Sequence, residues 1–172
     1  MVQATPEQRA LKMVRENRFL TLATAVGDEV WCAPVAYAIG PGSALHFYSA
    51  AESIHCRHIL GNPQVAVSIY NSAARGEEVD GMQMSAVCAI VAQPELKTVS
   101  EHYFNSIFAD PDERARWHRP PEAFAEGGIW RFFRIAPAAV YVIDADNFAA
   151  TKIDRRTDVD LDVFLKGLKD GR

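Results

Sequence analysis

Cysteine is sparse in this chain and offers no pairing scheme. Cys32, Cys56 and Cys88 are the three among 172 residues, and no Cys-x-x-Cys occurs, so neither a zinc ribbon nor a thioredoxin-type motif is supported. Cys32 and Cys88 lie in apolar, strand-like runs and are expected to be reduced, buried thiols. Basic charge is not in excess either: the net charge is -4, which leaves no electrostatic footprint for nucleic acid or an anionic membrane. Long hydrophobic runs are missing. Stretches such as Ala86 to Ala92 fall far short of the ~20 residues that cross a bilayer. The opening MVQATPEQRALKMVRENRF carries charges where a signal peptide needs an apolar run, which predicts a soluble, cytoplasmic protein. No G-x-S-x-G, Walker or Rossmann fingerprint is present. The acidic run Asp154 to Asp162 lacks the glycine and terminal glutamate of a calcium loop and reads as a solvated turn.

What is present suits one globular domain. Apolar residues make up 49% and charged residues 23%, enough to bury one sizeable core, and the length predicts a single domain over 1–172. Thr5-Pro6-Glu7 is a helix start with proline at the first helical position, predicting a helix over 6–16. Phe19 to Val26 alternates large apolar with small or hydroxyl residues, turns at Gly27-Asp28-Glu29 and resumes as Val30 to Ile39, the pattern of a hairpin. Further strands are expected at Leu45 to Ser49, Val65 to Tyr70, Met82 to Ala92, Ile129 to Ile135 and Ala139 to Ile143. The last two are separated at Ala136-Pro137, and Asn71 to Gly81 is a loop. Leu96 to Phe108 has helical spacing, Ala109 to Gly128 reads as loop with short turns, and a short helix is predicted over 159–168. Strands outnumber helices and their connections are short. The expected fold is mainly β (α+β): a six- to eight-stranded antiparallel split barrel, core about 17–145, with peripheral helices, since closure removes exposed edges.

Residues 45–69, LHFYSAAESIHCRHILGNPQVAVSI, concentrate the chemistry. A strand ending at Ser49 runs into a helix from Ile54 to Leu60 whose N-cap is Ser53, then into Asn62-Pro63 and a second strand. The amides of that first turn and the helix dipole favour an anion off the strand end, and His55 and Arg57 could add side-chain donors. A metal site at His55, Cys56 and His58 is disfavoured, because i, i+1, i+3 spacing turns Cys56 away from the face shared by the two histidines and ligand sets need three or four convergent groups.

These segments, taken in order, resemble the FMN-binding split-barrel superfamily, which includes the pyridoxamine 5'-phosphate oxidases. The chain shows LATAV at 22–26, the proline-bearing APVAYAI at 33–39, LHFYS at 45–49, S-I-H at 53–55, N-P at 62–63 and G-M-Q-M-S-A at 81–86. They stand where the superfamily has "tLaT", a proline strand, "lyfyt", "S-x-K", "NP" and "G-x-Q-x-x-G". The resemblance implies that Pro34, Val35, Ala36 and Tyr37 give backbone contacts to an isoalloxazine ring. It also implies that Ser49 and Ser53 line the ribityl and phosphate path, that Gln83 approaches the flavin, and that Trp130 walls the site from a second subunit of a homodimer. Two departures stand out. His55 replaces the phosphate-binding lysine, a permanent cation, with a group only partly charged at neutral pH, which shifts the phosphate charge towards Arg57. Ala86 replaces a glycine. The arginine-rich "R-L-x-P" ending of the true oxidases is missing, since the chain ends DVFLKGLKDGR, so the substrate is not inherited. The function expected is FMN-dependent redox chemistry on a small molecule. The rivals are haem held by His55, His58 or His102, a deazaflavin in the same groove, or a cofactor-free binding barrel.

Overall fold

The protein is described by a computed structural model over residues 4–75 and 80–170; part of the loop expected at 71–81 thus lies outside the described residues. The chain forms a mixed α+β structure. It opens with α1 (Pro6–Glu16), β1 (Phe19–Val26), β2 (Glu29–Ala36), β3 (Ala38–Gly40), β4 (Ala44–Ala50) and α2 (Ile54–Gly61). It continues through β5 (Gln64–Tyr70), β6 (Gly81–Ile90), α3 (Leu96–Ile107), α4 (Pro111–Trp117) and β7 (Trp130–Ile143). It closes with α5 (Ala145–Thr151), β8 (Arg156–Val159) and α6 (Leu161–Asp170).

All strand pairs are antiparallel and follow the order β2-β1-β5-β6-β7-β4-β3, with β8 added on β7. The two ends of that path are neighbours in the chain: only Tyr37 separates β2 from β3. The sheet therefore curls back on itself. One segment, 29–40, pairs with β1 through its first part and with β4 through its last three residues. Beyond that zipper, among the described residues, residues 29–36 have no strand on their second edge, and Phe47 to Ala50 of β4 pair with β7 alone. These two free edges are the lips of a split.

Alternation builds the interior. Leu20 and Leu22 of β1, Val65, Val67 and Ile69 of β5, and Met82 and Met84 of β6 point inward and are buried, while their neighbours face out. The β1–β2 turn uses two residues, Gly27-Asp28, with Gly27 at φ 55°, a conformation that glycine takes without Cβ strain. Helix α1 plugs one end through Ala10, Met13 and Val14, backed by Phe164 and Leu168 of α6. A second core of Tyr103, Phe104, Phe124 and Phe132 lies on the outer side of the sheet beneath α3.

Four expectations are corrected. The strands expected at 129–135 and 139–143 are one strand, β7, because Ala86 pairs with Pro137 and Ser85 with Ala139; the extra residue, Ala138, forms a bulge that accommodates a proline without breaking the ladder. The acidic run is not all turn, since Arg156 to Val159 pair with the end of β7, and the terminal helix starts at Leu161 rather than 159. Helix α5 carries too little apolar periodicity to be expected from pattern. Cys32 is exposed, because it lies on the outer face of β2 opposite Ala23, whereas Cys56 and Cys88 are buried.

Candidate cofactor site

The end of β4 and the start of α2 bring Ser49, Ser53 and His55 together. The His55 Nε2 lies 2.8 Å from Ser49 Oγ and 3.2 Å from Ser53 Oγ. This overturns the expected cap: Ser53 is the N-cap by position, but its side chain makes no cap hydrogen bond because the buried imidazole claims the hydroxyl. Burial, reinforced by the nearby His58, pushes the His55 pKa down, so the ring is neutral at physiological pH. The first turn of α2 also has no acidic residue. Among the described residues, its leading amides are left as donors without side-chain acceptors.

Arg57, the expected source of charge, is exposed and donates from Nη1 to the Glu52 carbonyl at 2.6 Å. A different arginine occupies the corner. Arg131 is registered against Ser49, and its charge is felt at Cys56. Cys56 and Cys88 are both held neutral by burial, Cys88 with a pKa pushed up to about 12.

The proline strand forms the other lip. Val35 and Tyr37 are buried, while Pro34 faces out, so only the backbone of this strand is presented along its free edge. Its last carbonyl is already taken: Tyr103 Oη donates to the Ala36 carbonyl at 3.3 Å. Gln83 does not reach the β4–α2 corner. It shares an outer-face row with Pro34, through the pairs Pro34–Thr21, Thr21–Ser68 and Ser68–Gln83, about 14 Å away at ordinary strand spacing. Hollows of about 190 and 400 Å³ flank that row, and Ser68, Tyr70 and Ser72 line both. Trp130 is half-buried against Tyr48, ring centroids 5.7 Å apart. The methyl group of Ala86 points into the core, away from either lip.

Two of the other histidines are enclosed or bonded within the protein. His102 Nε2 donates to the Ile39 carbonyl at 2.6 Å. His58 is buried with Nδ1 3.3 Å from Thr24 Oγ1 and Nε2 3.5 Å from a Glu29 carboxylate oxygen. No group of three or more His, Cys, Asp or Glu side chains converges among the described residues.

A family model described as pyridoxamine 5'-phosphate oxidase matches residues 5–143. The chain belongs to that family. Among solved structures, the family fold recurs in a haem-binding protein from Mycobacterium smegmatis (TM-score 0.70, 12% identity, covering 96% of this chain and 62% of that one). It recurs in an FAD-binding protein from Mesorhizobium loti (TM-score 0.57, 20% identity, 76% and 88% covered). HutZ, the haem storage protein of Vibrio cholerae, is similar at TM-score 0.57 and 16% identity, with 76% and 89% covered. At such identities the likeness establishes the fold, and the chain spans less than two thirds of the mycobacterial protein. No curated protein matches. No helix among the described residues is long and apolar enough to cross a membrane.

Proposed function

We propose that this protein binds FMN in the split and acts as a flavin-dependent oxidoreductase on a small molecule, as a single cytoplasmic domain over 1–172. The observation that carries the reading is the diverted cap of α2: hydroxyls, a neutral imidazole and unclaimed amides meet at the end of the β4 lip, a set of donors suited to a phosphate. The free backbone edge of β2 suits a planar ring that asks for amide and carbonyl partners, and Pro34 and Gln83 share the adjoining row. Bound FMN supplies the redox chemistry. The chain's own part is to hold the phosphate at Ser49, Ser53 and the α2 amides, orient the ring along residues 30–35, and exclude water.

A second copy completes the site in this reading. The outer face of β1, β2 and β5 exposes Ala23, Ala25, Val30, Cys32 and Ala66 around an apolar hollow of about 400 Å³, with Val30 79% exposed. Apolar surface gathered in one place marks an interaction site, and a homodimer closed by a two-fold axis covers it on both copies. Trp130 is the residue we assign to the wall facing the partner.

The deciding experiment is purification with FMN, followed by absorbance titration and a mass measurement in solution. A flavin spectrum that shifts on binding to a dimer is the expected result; a colourless monomer that leaves the FMN spectrum unchanged overturns the reading. Parallel titrations with haem and a deazaflavin separate the rivals. A Soret shift is not expected, because His55 and His102 both have their Nε2 engaged and His58 is enclosed.

A further inference from the structure

Arg131 heads β7 directly opposite Ser49, so the two side chains leave the same face of the sheet with Cβ atoms about 5 Å apart. That face is the interior one, since Phe47 and Phe133, two residues further along each strand, belong to the barrel core. One nitrogen of the guanidinium, Nη1, donates to the carbonyls of Ala125, Gly128 and Trp130 at 2.8, 2.8 and 2.7 Å. Its Nε and Nη2 have no acceptor among the described residues. No carboxylate pairs with it there either, in contrast to Arg9, Arg134 and Arg156, which pair with Asp80, Glu95 and Asp154. The guanidinium is close enough to the start of α2 for its charge to be felt at Cys56. A half-buried guanidinium with no counter-ion is costly unless an anion joins it.

We infer that Arg131 is the permanent cation of this site, the group that pairs with the anionic end of the ligand at the β4–α2 corner in place of the missing lysine. The inference rests on the ligand reading above. Neither of the expected residues fills the role: His55 is neutral, and Arg57 faces solvent against the Glu52 carbonyl. The chemistry recognised is a phosphate or carboxylate, which a flavin nucleotide offers as its phosphate and haem as its propionates. Bidentate donation from a planar fork favours arginine for such a partner.

The test compares FMN with riboflavin, which lacks only the phosphate, by fluorescence titration of wild type, Arg131→Gln, Arg131→Lys and Arg57→Gln. Wild type is expected to prefer FMN, and Arg131→Gln to cut that preference roughly 10- to 100-fold, the range of a charge-assisted contact. Arg131→Lys retains most of the preference and Arg57→Gln all of it. Arg131 also ties down the 125–130 turn, and loss of that role weakens both ligands alike. Equal loss for FMN and riboflavin, or a loss of preference in Arg57→Gln instead, overturns the inference.

Should wild type bind neither flavin, the flavin reading fails and the arginine is read separately. Inorganic phosphate at constant ionic strength should then raise the melting temperature of wild type and Arg57→Gln but not Arg131→Gln; no rise in wild type overturns the inference. Should it bind haem, the dimethyl ester of haem should bind more weakly than haem to wild type and equally to Arg131→Gln; an ester penalty undiminished in Arg131→Gln overturns it.

Discussion

Helices α1 and α2 both seal the barrel, and both bury side chains in the same core: Ala10, Met13 and Val14 from one, Cys56 and Ile59 from the other. They differ at their N-termini. Helix α1 is completed by the chain itself, through a capping box in which Thr5 Oγ1 accepts from the Gln8 amide at 3.3 Å and Gln8 Oε1 from the Thr5 amide at 2.9 Å. Its first turn carries Glu7, which accepts from the Asp160 amide. Helix α2 has a serine in the same position and makes no such use of it. Two helices of similar packing, one closed and one left open, separate what is structural from what is available to a ligand.

The sharpest way to break this comparison is to test its first half. If packing is alike, truncating Ile59 on α2 and Met13 on α1 should cost similar amounts. Both side chains are at most 7% exposed within one core, so Ile59→Ala and Met13→Ala are each expected to lose about 2 to 5 kcal/mol in equilibrium urea unfolding of the ligand-free protein. A much smaller loss at Ile59 would mean that α2 is only loosely docked, and its open first turn would then be fraying.

The difference between the helices also shows how far local pattern reaches. Strands β1 and β5 follow from alternation alone, because Leu20 and Leu22 or Val65, Val67 and Ile69 must share a face. The capped start of α1 follows from Thr5-Pro6. Strand β7 does not, since Pro137 reads as a terminus until the bulge opposite Ser85 and Ala86 is seen. Strand β8 has no hydrophobic alternation and exists because the end of β7 offers it an edge. At the site, Ser49, Ser53 and His55 are close in sequence and their meeting was readable. What those groups do was not, because the choice of Ser53 between the backbone and His55 depends on the burial of the imidazole. Arg131 was hidden for another reason: only long-range strand pairing places it beside Ser49. Its one sequence signal was a charge at an inward position of an otherwise aromatic strand.

A smaller effect sharpens the second half of the comparison. Thr5→Ala removes a working cap and should destabilise the protein by about 0.5 to 2 kcal/mol. Ser53→Ala removes a hydroxyl that caps nothing, and His55 keeps its shorter bond to Ser49, so the expected loss in the ligand-free protein is below the lower end of that range. Urea unfolding of the two variants side by side checks this, and equal losses would restore Ser53 to the capping role.

The smallest effect is the dependence on pH, and it too divides the two helices. The His55 pKa is lowered below its ordinary 6.5, mainly by burial, so the unfolded chain takes up a proton before the folded one does. Its contribution to stability is complete above about pH 6.5 and is lost as pH falls through that value towards the folded pKa. Glu7 of α1 is also lowered, from 4.5, chiefly by the bond from the Asp160 amide. As an acid it contributes above 4.5 and is silent in the histidine window. Unfolding free energies measured from pH 8 to pH 3 should therefore show His55→Asn flattening the slope just below pH 6.5, and Glu7→Gln flattening it only below 4.5. If His55→Asn leaves the upper slope unchanged, the imidazole is not held neutral between the two serines, and the diversion of the Ser53 hydroxyl loses its cause.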